Sequence, residues 1–203
     1  MNRGLASRRA FAAAFVGLVI LLKGTGTAWG QSTDLPKKLV AFVETELVQY
    51  STDPDIVQAV AAQNARGVEL HRIKTIDEQW KNTKLIDGFM FQLMRNACSH
   101  ALLNIQIRYP FIVEAFVMDN QGALVGLTNK TSDYWQGDEA KFIESYKAGK
   151  GAIHYGELAY DDSVGETVMQ VSLPVMKNAQ AIGAITFGVS VDRWEYRRVG
   201  GRE

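Results

Sequence analysis

Ala181-Ile182-Gly183-Ala184-Ile185-Thr186-Phe187-Gly188-Val189-Ser190-Val191 alternates large apolar residues with small ones. That two-residue period is the mark of a strand. Ile185, Phe187, Val189 and Val191 point one way and suit a core. Ala184, Thr186, Gly188 and Ser190 point the other way and are small and weakly polar. Their size leaves room above the sheet, to be filled by loop aromatics or shared with a ligand.

Working back from this run, the spacing predicts four earlier strands, over 111–118, 123–128, 152–159 and 167–176. Asp119-Asn120-Gln121-Gly122 is a turn sequence between the first two, Asp161-Asp162-Ser163-Val164-Gly165 one between the third and fourth, and residues 177–180 turn the chain into the fifth. A short helix over 139–148 sits between the second and third strands and ends at Gly149-Lys150-Gly151.

The chain before Phe111 reads as helical. A helix starts near Asp34 and Pro36, with Leu39, Val40, Phe42, Val43 and Leu47 on its apolar face. A second starts at Asp53-Pro54, a capping residue followed by proline at the first helical position. Residues 68–83 are mixed, anchored by Ile73, Ile76 and Trp80. One longer helix is then expected from Leu85 through Cys98 to Leu102, closed at Tyr109-Pro110. The result is an α+β fold in which long N-terminal helices pack along one face of a five-stranded antiparallel sheet.

Residues 1–30 read as an export signal: Arg3, Arg8 and Arg9 precede an apolar run from Ala10 to Leu22, too short for a comfortable span. Ala28-Trp29-Gly30 offers a cleavage site after Gly30, and Ser7-Arg8-Arg9-Ala10-Phe11 resembles the twin-arginine export motif. The twin-arginine and ordinary secretory routes both fit, as do cleavage and retention as an anchor. Residues 31–110 then form the helical segment and 111–203 the sheet of one domain, expected in the periplasm. The signal holds four of the 22 basic residues and none of the 22 acids, which leaves 18 against 22 and a net charge of −4. That balance argues against a nucleic-acid partner. Cys98 is the only cysteine, so no internal disulfide forms, and its apolar helical surroundings suit a small core residue.

The chemistry gathers around Thr131-Ser132-Asp133-Tyr134-Trp135-Gln136-Gly137-Asp138-Glu139-Ala140-Lys141-Phe142. Adjacent aromatics beside carboxylates suit a cationic or amphipathic organic ligand, although Tyr134 and Trp135 could equally plug the edge of a core. Asp138 and Glu139 fit a helix N-terminus. Asp133 stays open between the two roles. No nucleophile elbow, phosphate loop, dinucleotide fingerprint or metal-ligand spacing occurs, so the reading is non-catalytic, without cofactor or metal. His154, with Glu157, Asp161 and Asp162, is the nearest approach to a metal set, while acids at 161 and 162 more often form turns.

Four fragments carry a family resemblance: Phe116-Val117-Met118-Asp119-Asn120-Gln121-Gly122, Thr131 through Glu139, Val171-Ser172-Leu173-Pro174-Val175, and Ile182-Gly183-Ala184-Ile185-Thr186-Phe187-Gly188-Val189. In this order and spacing the chain resembles the extracytoplasmic Cache (PDC-type, PAS-like) sensor domains over most of residues 105–192. The resemblance implies small organic ligands bound between the outer face of the sheet and its covering loops. Most such domains belong to chemoreceptors or histidine kinases. This chain ends at Glu203 with no following membrane helix or output segment, which suggests a freestanding sensor working with a membrane receptor or histidine kinase. A structural protein that dimerises through its N-terminal helices is the alternative. The amino-acid-binding branch of the family carries an arginine before the aromatic pair and an aspartate on the last strand. Here Thr131, Ser132 and Asp133 precede the pair and Gly188 stands on the strand, which disfavours an amino-acid ligand. The residues expected to meet a ligand are Tyr134, Trp135, Asp133, Tyr155, Asp161 and Phe116.

Overall fold

The computed structural model describes residues 37–161 and 165–200, the side chains through Arg197. The expected export signal, the Asp34–Pro36 helix start and the middle of the 161–165 turn, Asp162 included, lie outside the described residues. Helix α1 (Lys37–Phe42) runs on through a wide π turn, Val43–Leu47, and a 3₁₀ segment, Val48–Thr52. α2 (Pro54–Ala65) begins where the sequence places it, the Asp53 carboxylate accepting the N–H groups of Asp55 and Ile56.

Two helical expectations need correction. Residues 68–83 are not mixed: Leu70–Asn82 form α3, with Ile73, Asp77 and Trp80 buried on one face. The long helix expected from Leu85 is two, α4 (Gly88–Leu93) and α5 (Ala97–Arg108). Asn96 makes the break. Its side-chain oxygen accepts the Ser99 N–H and its amide donates to the Val125 carbonyl, so it ties the corner to the sheet and starts a new helix.

Five strands follow: β1 (Ile112–Met118), β2 (Leu124–Leu127), β3 (His154–Asp161), β4 (Glu166–Lys177) and β5 (Gln180–Ser190), with α6 (Ala140–Tyr146) between β2 and β3. Every neighbouring pair is antiparallel and the sheet order is β2-β1-β5-β4-β3, the PAS-like arrangement that the resemblance implies. After β5 the chain does not extend through Val191 as a strand but turns into α7 (Val191–Gly200). Asp192 accepts the Thr167 N–H across that corner.

The helices do not share one face. Residues of β5 with odd numbers, Ile185 and Phe187, meet Tyr50 and the α2 side of the molecule; Asn64 of α2 donates to the Ile182 carbonyl. Along the stretch from α1 to α2, Leu39, Val43, Leu47, Ile56 and Val60 are fully buried, while Val40, Phe42 and Val57 are half-buried and Val48 is 41% exposed. On the opposite face Phe116, Met118 and Ala184 pack with Phe142 of α6, Trp80 and Ile73 of α3, and Met90 and Leu93 of α4. The room expected above Ala184 is thus filled by a second apolar core. Cys98 is buried against Gly126 of β2, where a Cβ would come within 2.9 Å of its sulfur.

Candidate functional site

The face under α6 is best seen as rows of residues running across the strands. One row is Phe116–Thr186–Ser172–His154, and the next, nearer the start of β1, is Glu114–Gly188–Gln170. Ser172 and Thr186 are fully buried and share a hydrogen bond of 2.9 Å. Each therefore satisfies the other where no water reaches. In the second row the missing side chain of Gly188 is replaced in space by its neighbour. A Cβ at residue 188 would lie 2.3 Å from Glu114 Cγ and 2.8 Å from Glu114 Oε1. Gln170 Nε2 donates to the same Oε1 at 3.0 Å, which fixes the carboxylate over the strand.

That pair borders a concavity of about 280 Å³, lined by Glu114, Gly156, Glu157, Ala159, Asp161, Val168 and Gln170. Three carboxylates and an amide in its wall favour a cationic group. Among the described residues no group of three or more His, Cys, Asp or Glu is placed to hold a metal ion.

The six residues expected to meet a ligand do not converge. Asp161 lines this concavity, at the end of β3. Phe116 lies on the same face one row away, but it is 1% exposed and covered by the Lys141 ammonium, 5.3 Å above its ring. Tyr155 belongs to the Ala115–Phe187–Val171 row and therefore points to the opposite face. Its hydroxyl is buried without a partner among the described residues, and burial, then the nearby Glu44 charge, pushes its pKa up. Tyr134, Trp135 and Asp133 sit at the other end, over β2.

There the loop is held as a structural plug. Tyr134 is buried between Trp80 and Phe89, with ring centroids at 5.8 and 5.5 Å. Asp77 of α3 accepts both the Tyr134 and Trp135 N–H groups, at 2.9 and 3.0 Å. Lys81 completes the knot, bonding Asp77 at 2.7 Å and Asp133 at 3.2 Å. Burial works against charge on Asp133, but the Ser132 hydroxyl and Lys81 outweigh it and hold its pKa below the usual range. The Trp135 indole donates to the Gln121 carbonyl at 2.7 Å, and Lys74 lies 4.6 Å from its ring. Sequence reasoning passed over Glu114, Gln170 and Asp77. Glu114 had no local signal, since it sits among strand formers, whereas Asp77 interrupts the Ile73–Ile76–Trp80 stripe and could have drawn notice.

No protein-family model matches the chain, and no curated protein matches it. Among solved structures, it is similar to the sensor domain of the V. cholerae histidine kinase DctB, at 14% identity and a TM-score of 0.40 over 79% of this chain and 53% of that one. It is also similar to the ligand-binding domain of the Pseudomonas aeruginosa PAO1 amino acid chemoreceptor PctC, solved with GABA (14% identity, TM-score 0.39, 73% of this chain and 60% of that one). A third is the ligand-binding domain of a Campylobacter jejuni chemoreceptor in complex with 4-methylisoleucine (12%, TM-score 0.38, 77% and 65%). The chain spans 53% to 65% of the length of these three. At such identities none of the likenesses bears on which residues meet a ligand. Among the described residues no helix is long and apolar enough to cross a membrane.

Proposed function

We propose that the chain is an exported, non-catalytic Cache-type sensor domain that binds a small organic amine and passes its occupancy to a membrane receptor or histidine kinase. The observation that carries the ligand class is the Glu114 carboxylate, seated over Gly188 and held by Gln170 at the edge of a concavity that also contains Glu157 and Asp161. In the amino-acid-binding branch of the family that the sequence resembles, the last strand carries an aspartate; here a carboxylate lies over Gly188 of that strand, supplied from β1. An amine fits this wall, while the amino-acid ligand that the missing arginine and the bare Gly188 count against stays disfavoured. Domain limits of 31–110 for the helical part and 111–203 for the sheet, and the periplasmic address, belong to the same proposal.

A thermal-shift screen of the purified protein against polyamines, amino acids, quaternary amines and organic acids tests the reading. Amines should raise the melting temperature of the wild type but not of Glu114→Gln. A screen in which no amine shifts the wild type would rule the reading out.

A further inference from the structure

A second concavity, of about 460 Å³, lies where the first and last described helices meet, lined by Lys38, Phe42, Glu46, Tyr109, Trp194 and Arg197. Its walls are aromatic. Phe42 packs edge-on to Tyr109 at 5.1 Å between centroids and lies 5.0 Å from Trp194, with Phe111 behind both at 5.2 and 4.9 Å. A cluster of this kind offers flat apolar surface for the body of a ligand.

The polar groups decide the ligand's charge. Glu46 is already engaged, accepting the Tyr109 hydroxyl at 3.0 Å. Burial and that hydrogen bond push the Tyr109 pKa up to about 12, so the phenol remains the donor at neutral pH. The Trp194 indole N–H is shielded and has no acceptor among the described residues. Lys38 and Arg197 are exposed at the rim with no ion pair among the described residues; Arg197 rests 5.5 Å from the Phe111 ring. The wall therefore presents two cations with no ion pair among the described residues and one acid already engaged by the Tyr109 hydroxyl. A carboxylate set between two such cations gains charge-assisted hydrogen bonds, while an amine there would meet like charge.

We propose that this cavity binds an organic monocarboxylate with an apolar body, its carboxylate between Lys38 and Arg197 and its body over Phe42, Tyr109 and Trp194. The ligand then bridges α1 and α7. It is opposite in charge to the amine proposed for the Glu114 concavity, and the two sites stand or fall separately.

Calorimetric titration of the purified protein with sodium octanoate and with octylamine tests this proposal. The wild type should bind octanoate at least about tenfold more tightly than a Lys38→Ala/Arg197→Ala variant, whose changes fall on exposed side chains, and Glu114→Gln, which lacks the amine site, should bind octanoate more tightly than octylamine. Glu114→Gln should bind octanoate as the wild type does, which separates this site from the amine site. Octanoate affinity unchanged in the double variant, octylamine bound as tightly as octanoate by Glu114→Gln, or no octanoate binding at all would each overturn the proposal.

Discussion

Glu114 of β1 occupies the space that a side chain at Gly188 of β5 would need, with its Cγ 2.3 Å from the place of a Cβ there. Gly188→Ala should therefore push Glu114 out of its hydrogen bond with Gln170. Repacking of this kind costs about 1–2 kcal/mol. Urea denaturation should show that loss, and amine binding should weaken in the same variant because the carboxylate has moved.

Asp77 is the hidden anchor of the aromatic loop. Asp77→Ala removes the acceptor of two backbone N–H groups and leaves Lys81 with Asp133 alone. Stranding buried donors should cost about 2–4 kcal/mol in urea denaturation. Asp77→Asn keeps an oxygen for the two N–H groups and should recover roughly half of that loss. If both variants were as stable as the wild type, the loop would owe its place to the aromatic packing of Tyr134 alone.

Cys98 should be inert in the native state. Burial, then the charges of Asp53 and Asp55, pushes its pKa up to about 12, and its sulfur is packed against Gly126. Thiolate is the reactive form, so Ellman's reagent should modify the native protein only as fast as it unfolds and the urea-unfolded chain at once. Rapid labelling in the folded state would show that the α5–β2 contact opens.

Asp133 gives a pH signature of definite sign. Its folded pKa lies below the unfolded one, so its contribution is present above the ordinary carboxylate range, near about pH 4. It is lost as pH falls through the lower, folded value. The melting-temperature advantage of the wild type over Asp133→Asn should hold at neutral pH and vanish in acid. The effect should be small, because Lys81 is 43% exposed and its ion pairs are screened by solvent.

The sheet was legible because its signals are local. The alternation of β5, the Asp119–Gly122 turn and the Asp53–Pro54 cap each depend on a few neighbouring residues, and each forms as read. The helix breaks were less legible. Met94, Ala97 and Cys98 keep helical spacing straight through Asn96, and only the Val125 carbonyl of a distant strand gives Asn96 reason to start a new helix. α3 was obscured by Asp77, an acid on the buried face whose partners are backbone groups more than fifty residues away. α7 is dominated by charged residues, and what holds it is Trp194 against Phe42 and Phe111. The candidate site was legible only in part. Tyr134 and Trp135 stand out in the sequence, but the Tyr134 ring, the Trp135 indole and both backbone N–H groups are engaged within the fold. Asp161 does line the acidic concavity, beside Glu114, whose importance arises only when β1 lies next to Gly188.

The measurement that most directly tests the central claim is a side-by-side calorimetric titration of the tightest amine from the screen into wild type, Glu114→Gln and Trp135→Ala. The proposal predicts at least about tenfold weaker binding to Glu114→Gln, equal to about 1.4 kcal/mol, and near wild-type binding to Trp135→Ala. Undiminished binding to Glu114→Gln, with loss confined to Trp135→Ala, would contradict it and return the site to the aromatic loop.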